Sequence, residues 1–291
     1  AAASANTNAS GVATINGRVG RAIGSYTFTA TAPGAASTQF TVSAVAPTDK
    51  HIFTLVNVNH LNNGFGTPGP GTISQLSSYA RGVAAAKDGT LYLSSYCNVY
   101  SLSPAGVLAK VAGAGTPTAE NCGTSGDSGL GTTLNLYDVR GLALDEENGF
   151  LYIADFNNRR VMQVTLADGS MLRFAGDKDA TNADPWGDGF PADSAYLQPV
   201  SVQVAPNGDL YVGDIASQRL RKVDFNSNII TTAFRSNPSC TAADSALSYS
   251  ACGYYYSADQ GCHIAWDKDG KAFVSATFCG GGVSTSFYGI A

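Results

Sequence analysis

Few residues in this chain are of the types that do covalent chemistry. Gly126-Asp127-Ser128-Gly129 is a string in which a serine can serve as acyl-transfer nucleophile. That reaction needs a histidine base oriented by an acid. The chain has three histidines, His51, His60 and His263, and no spacing ties any of them to Ser128. Catalytic zinc commonly takes two or three histidines, and these three form no local group. Asp177, Asp179, Asn182, Asp184 and Asp188 make an oxygen-rich stretch of the kind calcium takes, but the regular alternation of a calcium loop is missing. The preferred reading is a solvated loop, with calcium as the cation to test and no other cofactor expected. Asp155 and Asp214 resemble catalytic acids in isolation. Each falls at the same point of a repeat, with Arg159 or Arg219 a few residues on, and a strand-tying ion pair is the better expectation.

Six cysteines, Cys97, Cys122, Cys240, Cys252, Cys262 and Cys279, are separated by 25, 118, 12, 10 and 17 positions. No CxxC pair proposes zinc. An even number in a chain rich in Gly, Ser and Thr suits disulfides and an oxidising compartment. Six cysteines allow 15 connectivities. The expected pattern is Cys97 with Cys122, and the other four among themselves. Asn8-Ala9-Ser10 is a glycosylation sequon. Gly253-Tyr254-Tyr255-Tyr256 falls in the longest stretch between repeats. Tyr254, Tyr255 and Tyr256 there could supply rigid contact area at low entropic cost, or cover a sheet edge.

The elements that would position these residues recur. Asp88-Gly89, Asn148-Gly149, Asn207-Gly208 and Asp269-Gly270 are spaced 60, 59 and 62 apart. Such dipeptides favour hairpin turns. Each stands between apolar runs, as in Gly141-Leu142-Ala143-Leu144 before and Leu151-Tyr152-Ile153 after. A third run follows each hairpin (99–102, 161–164, 220–223, 283–287), and a fourth follows three of them (107–111, 171–174, 229–233). Four antiparallel strands per unit of this length make a propeller blade with a long connection. The predicted fold is an all-β, four-bladed β-propeller over 47–291, with blades near 82–113, 141–176, 201–234 and 262–288. The fourth repeat lacks its outer strand. Ile52-Phe53-Thr54-Leu55-Val56 would supply it (closing strand 52–56) and leave no open edge. Gly66 to Thr72 reads as an extended linker.

With these runs in view, the chain resembles the NHL-repeat family over about residues 51–288. The blade at 187–224 carries Gly187-Asp188-Gly189-Phe190-Pro191-Ala192-Asp193-Ser194-Ala195-Tyr196-Leu197-Gln198-Pro199. Asn207-Gly208-Asp209-Leu210-Tyr211-Val212-Gly213-Asp214 and Gln218-Arg219-Leu220-Arg221-Lys222-Val223 follow. Ser94 and Ser275 stand where other blades have the strand-end Asp. The resemblance implies a fold and not a chemistry. An NHL-type lyase places histidines in its channel, and no such set maps here. His263, which replaces Gly82 of the first repeat, is expected to be structural.

Residues 1–46 differ in texture. Runs at 11–15, 24–31 and 38–43 alternate with period two and read as three strands. They resemble the C-terminal half of a bacterial, invasin-type immunoglobulin-like domain. About 100 residues complete such a sandwich. For this small three-stranded Ig-like segment, either the missing half has been removed, or the strands pack on the propeller, or they pair with another molecule by strand addition. A head-to-tail contact of that kind builds a filament if it does not close.

Composition limits the partners. The chain has 291 residues, is 44% hydrophobic and only 13% charged, and carries a net charge of −5. No basic cluster would attract nucleic acid, and no apolar run spans a membrane. The start at Ala1 suggests a processed or excised piece of something longer. The expectation is a non-catalytic structural and interaction module, extracellular or at a cell surface. Its partners would be protein, either other copies of itself in a surface fibre or a surface protein, with glycans as a further class. The alternatives are a lyase or hydrolase working in the central channel, or a carbohydrate-binding propeller.

Overall fold

The computed structural model describes residues 24–30, 38–44, 69–70, 76, 79–115, 122–180, 186–235, 249–250, 264–266, 272–278 and 285–290. Several sequence expectations lie outside these residues. They are the strand at 11–15, the closing strand 52–56, the Asp269-Gly270 turn, Asn8, Asn182, Asp184, the three histidines, Tyr254 to Tyr256, and Cys240, Cys252, Cys262 and Cys279.

The fold is all-β and of propeller type, built from successive antiparallel meanders. In the first blade Val83–Ala85, Leu91–Ser95, Asn98–Leu102 and Val107–Ala112 follow one another from inner to outer edge. The second runs through Val139–Asp145, Phe150–Asp155, Arg160–Thr165 and Ser170–Ala175. The third comprises Pro199–Val204, Leu210–Asp214, Arg219–Val223 and Ile230–Arg235. In the fourth, Ala272–Phe278 pairs with Ile264–Trp266 on one side and with Thr285–Ile290 on the other. Its third strand covers Thr285–Ile290 among the described residues, overlapping the run at 283–287.

Two connections expected to be loops are strands. Gly69–Pro70 pairs with Leu108 and Val107 at the outer edge of the first blade. Ser128–Leu130 pairs with Ser170–Leu172 at the outer edge of the second. These blades have five strands and not four. The outermost strands of both would otherwise present unpaired backbone, and the connections cap them.

Alternate side chains explain why the blades stack. Leu142, Leu151, Ile153, Met162 and Val164 of the second blade pack with Val99 and Ala112 of the first. Ala143, Tyr152, Ala154 and Val161 point the other way, against Val202, Leu210, Val212 and Val223 of the third. The sheet is buried on both faces, so its strands read as near-continuous apolar runs. Phe156, Val200, Leu220 and Ile264 join the second, third and fourth blades.

The inner strands approach closely where no side chain intervenes. A Cβ on Gly141 would stand 2.8 Å from Ser201 Cα and 2.9 Å from Val202 N. The turns joining first and second strands use glycine at positive φ: Gly89 (87°), Gly149 (73°) and Gly208 (89°). Each of the first three blades also has a register shift at the start of its third strand, at Val99/Tyr100, Val161/Met162 and Leu220/Arg221.

Gly24–Ala30 and Thr38–Ala44 form an antiparallel hairpin in register from Gly24↔Ala44 to Ala30↔Thr38. Among the described residues each pairs only with the other. No helix among the described residues is long and apolar enough to cross a membrane.

Candidate functional site

The strand-end acids Asp155 and Asp214 are each held by local donors. Asp155 is fully buried. Its Oδ1 accepts the Tyr137 amide at 2.7 Å, and its Oδ2 accepts from Arg160 Nε and Asn158 Nδ2, both at 2.9 Å. Arg160 also donates to Asp127 Oδ1 at 2.9 Å and to the carbonyls of Asn135, Ser125 and Gly126. The third blade repeats the plan. Asp214 accepts the Gln198 amide at 2.8 Å, with Arg221 Nη1 at 3.7 Å. Arg221 Nη2 donates to Asp188 at 2.7 Å. Burial pushes both carboxyls above the ordinary range, against the opposing pull of the guanidinium and the amide donors.

The expected partners were Arg159 and Arg219, and this is corrected. Arg160 and Arg221 make the ties to Asp155 and Asp214. Arg159 has φ of 57°, which turns its guanidinium onto the Tyr196 ring, 4.8 Å from the centroid, and to the Tyr196 hydroxyl. Arg219 reaches Asp188 at 3.3 Å and lies over Trp186. In the first blade Ser94 takes the acid's place. Its Oγ accepts the amides of Arg81 and Gly82 at 3.0 and 2.7 Å.

Asp127 and Asp188 hold equivalent places. Ser128 is therefore a strand residue on an exposed outer edge, beside an acid already engaged by Arg160 and Arg173. Asp188 and Asp179 of the oxygen-rich stretch bind cationic side chains. Among the described residues no group of three metal-ligating side chains occurs. Cys97 and Cys122 are joined by a disulfide, with Cα atoms 5.2 Å apart. It ties the hairpin between the second and third strands of the first blade to the connection leading into the second.

That same hairpin end carries an aromatic group that sequence reading missed. Tyr79, Tyr96 and Tyr137 come from three separate segments. The rings of Tyr79 and Tyr96 stand 5.1 Å apart, and Tyr137 meets Tyr96 edge-on at 6.2 Å. Tyr79 is 51% exposed and Tyr137 37%. Burial, with Tyr137 and Asp138 alongside, pushes the Tyr96 phenol up. Beneath them Asp138, itself at φ 61°, receives Arg140 at 2.8 Å and Arg81 of the first blade at 3.5 Å.

Asp138 is an insertion. In the second blade Tyr137 donates to the strand-end acid and Val139 pairs with it. In the third, Gln198 and Pro199 do so with no residue between them. Arg140 in turn lies 3.3 Å over the Phe156 ring, and further along the same end Trp186 meets Tyr196 edge-on at 6.3 Å. The result is a row of tyrosine, tryptophan and arginine side chains along the ends of three blades. The signal available in sequence was the extra Asp138 and the aromatic residue at both Tyr96 and Phe156.

No family model matches the chain. It is 32% identical over 89 residues to teneurin-3 of Danio rerio, a stretch covering 27% of this chain and 3% of that protein. Solved structures similar to it include a gluconolactonase from Xanthomonas campestris (14% identity, TM-score 0.46, 80% of this chain and 65% of that one). An auxiliary nutrient binding protein from Bacteroides thetaiotaomicron aligns at 14% identity and TM-score 0.45, over 72% of this chain and 39% of that one. A virginiamycin B lyase from Staphylococcus aureus, with quinupristin, aligns at 11% and 0.40, over 72% and 55%. These likenesses carry no argument about activity.

Proposed function

We propose that the chain is a non-catalytic, extracellular interaction module, and that the hairpin end bearing Tyr79, Tyr96 and Tyr137 is its protein-contacting face. The observation that carries this reading is the placement of those rings. Tyr79 and Tyr137 are exposed, both pack on the half-buried Tyr96, and the group is seated on the Arg81–Asp138–Arg140 ion pairs. Tyrosine, tryptophan and arginine are the residues that dominate protein contacts. The buried acids support the same reading, because each is engaged by a guanidinium and a backbone amide and has a structural duty already. The Cys97–Cys122 bond fits an oxidising compartment.

Self-assembly into a surface fibre is the finer form of the proposal. The hairpin of Gly24–Ala30 and Thr38–Ala44 offers strands for addition to another copy. Electron microscopy of the native material, with sedimentation of the purified chain, tests it. Copies joined through residues 1–46 support the fibre. A chain that stays monomeric, and whose Y79A/Y137A double variant captures the same surface proteins as the parent, overturns the contact face. Turnover abolished by substitutions at the channel would restore the enzyme reading.

A further inference from the structure

Away from the tyrosine face, the outer strands of the first and second blades leave a groove of about 350 Å³. Tyr92, Ser101 and Lys110 line it from the first blade, and Thr132, Leu166 and Asp168 line it from the second. It opens beside the Asp168-Gly169 turn, which joins the third and fourth strands of the second blade. The tyrosines cluster at the turns joining second and third strands, so the two sites occupy opposite ends of the meander.

Lys110 sets the groove apart. Lys87, Lys178 and Lys222 each lie within 4.0 Å of a carboxylate. Lys110 is the one described lysine that does not, and its Nζ donates to the Gly115 carbonyl at 2.8 Å. That bond satisfies one of three ammonium donors, and no carboxylate of the described residues lies within 4.0 Å of the ammonium to pair with it. The ammonium therefore offers a partner to a negative charge, even though the chain carries a net −5. Burial holds the Lys110 ammonium below its ordinary pKa, so an incoming anion would gain more than it would at an open surface. The groove is also lined by Tyr92, Ser101 and Thr132, by Asp168, whose Oδ1 accepts the Ser170 amide at 2.8 Å, and by an apolar wall that includes Leu166. Hydroxyls and a carboxylate suit a ligand rich in hydroxyl groups and not a fatty acid. The volume lies at the small end of ligand pockets.

We infer that this groove binds a carboxylated sugar of the hexuronate class, with Lys110 pairing to the ligand carboxylate and the hydroxyl groups and Asp168 bonding to the sugar hydroxyls. This site is independent of the tyrosine face, and either can fail without the other.

The test is saturation-transfer and chemical-shift NMR on the full chain, with galacturonate, galactose and acetate as probes. Galacturonate should bind, galactose should bind at least about tenfold more weakly, and shifts should centre on Lys110, Thr132 and Asp168. Lys110→Gln should weaken galacturonate by about tenfold or more, the equivalent of about 1.4 kcal/mol, with the melting temperature as a fold control. Thr132→Val is the second variant, milder in effect and independent of the charge. No transfer from galacturonate overturns the proposal. So does equal binding of galactose, a Lys110→Gln variant that binds as the parent does, or shifts centred elsewhere. Acetate competing as well as galacturonate would reduce the groove to a carboxylate site and overturn the assignment to a sugar.

Discussion

Arg160 donates to Asp155 and to Asp127 from one guanidinium, at 2.9 Å in both cases, and so fastens the blade's outer-edge strand to the end of its second strand. Removing one partner strands a buried charge. Arg160→Ala should cost about 3–5 kcal/mol of unfolding free energy, read from denaturant melts. Arg159→Ala, which removes a half-exposed stacking contact on Tyr196, should cost about 1 kcal/mol or less. Equal losses would mean that the two arginines share the role.

Gly141 marks the closest approach of two inner strands. Gly141→Val would drive side-chain atoms into the Ser201–Val202 backbone and should destabilise by at least about 1–3 kcal/mol, the range for overpacking. Gly126→Ala is the control, since nothing lies within 4 Å of the added carbon. It should leave the midpoint within about 0.5 kcal/mol.

Tyr152 gives the fold an alkaline limit. Burial pushes its phenol up to about 12 from 10.0, so the folded chain holds a proton that the unfolded chain releases. Stability from this group is complete below pH 10 and is lost as pH rises from 10 toward 12. Phenolate absorbance during an alkaline titration should show a late tyrosine that disappears in Tyr152→Phe. The variant's stability should also fall less steeply over that window.

The Cys97–Cys122 bond closes a loop of 25 residues. Chain entropy assigns such a loop about 3 kcal/mol. The Cys97→Ser/Cys122→Ser double variant should lose about that much in denaturant melts without reductant. A loss near zero would place the restraint in the Tyr96–Val139 backbone contact instead, where the Val139 amide donates to the Tyr96 carbonyl at 2.6 Å.

Sequence by itself determined the all-β class, the repeat near 60 residues, the strands of each hairpin and the turns at Gly89, Gly149 and Gly208. These are short-range properties. An Asn-Gly or Asp-Gly pair bends the chain whatever surrounds it, and an apolar run reports burial wherever its cover comes from. Tertiary structure alone decided which arginine meets which acid. A register shift at the start of the third strand in the first three blades and the positive φ of Arg159 swing adjacent side chains to different faces, and residue spacing does not encode that. It also decided that Gly69–Pro70 and Ser128–Leu130 become edge strands, since a polar connection gains a ladder only when an open edge lies beside it. The tyrosine face and the Lys110 groove belong to the same class. Tyr79, Tyr96 and Tyr137 are far enough apart in sequence to look unrelated, and only the stacking of blades brings them together.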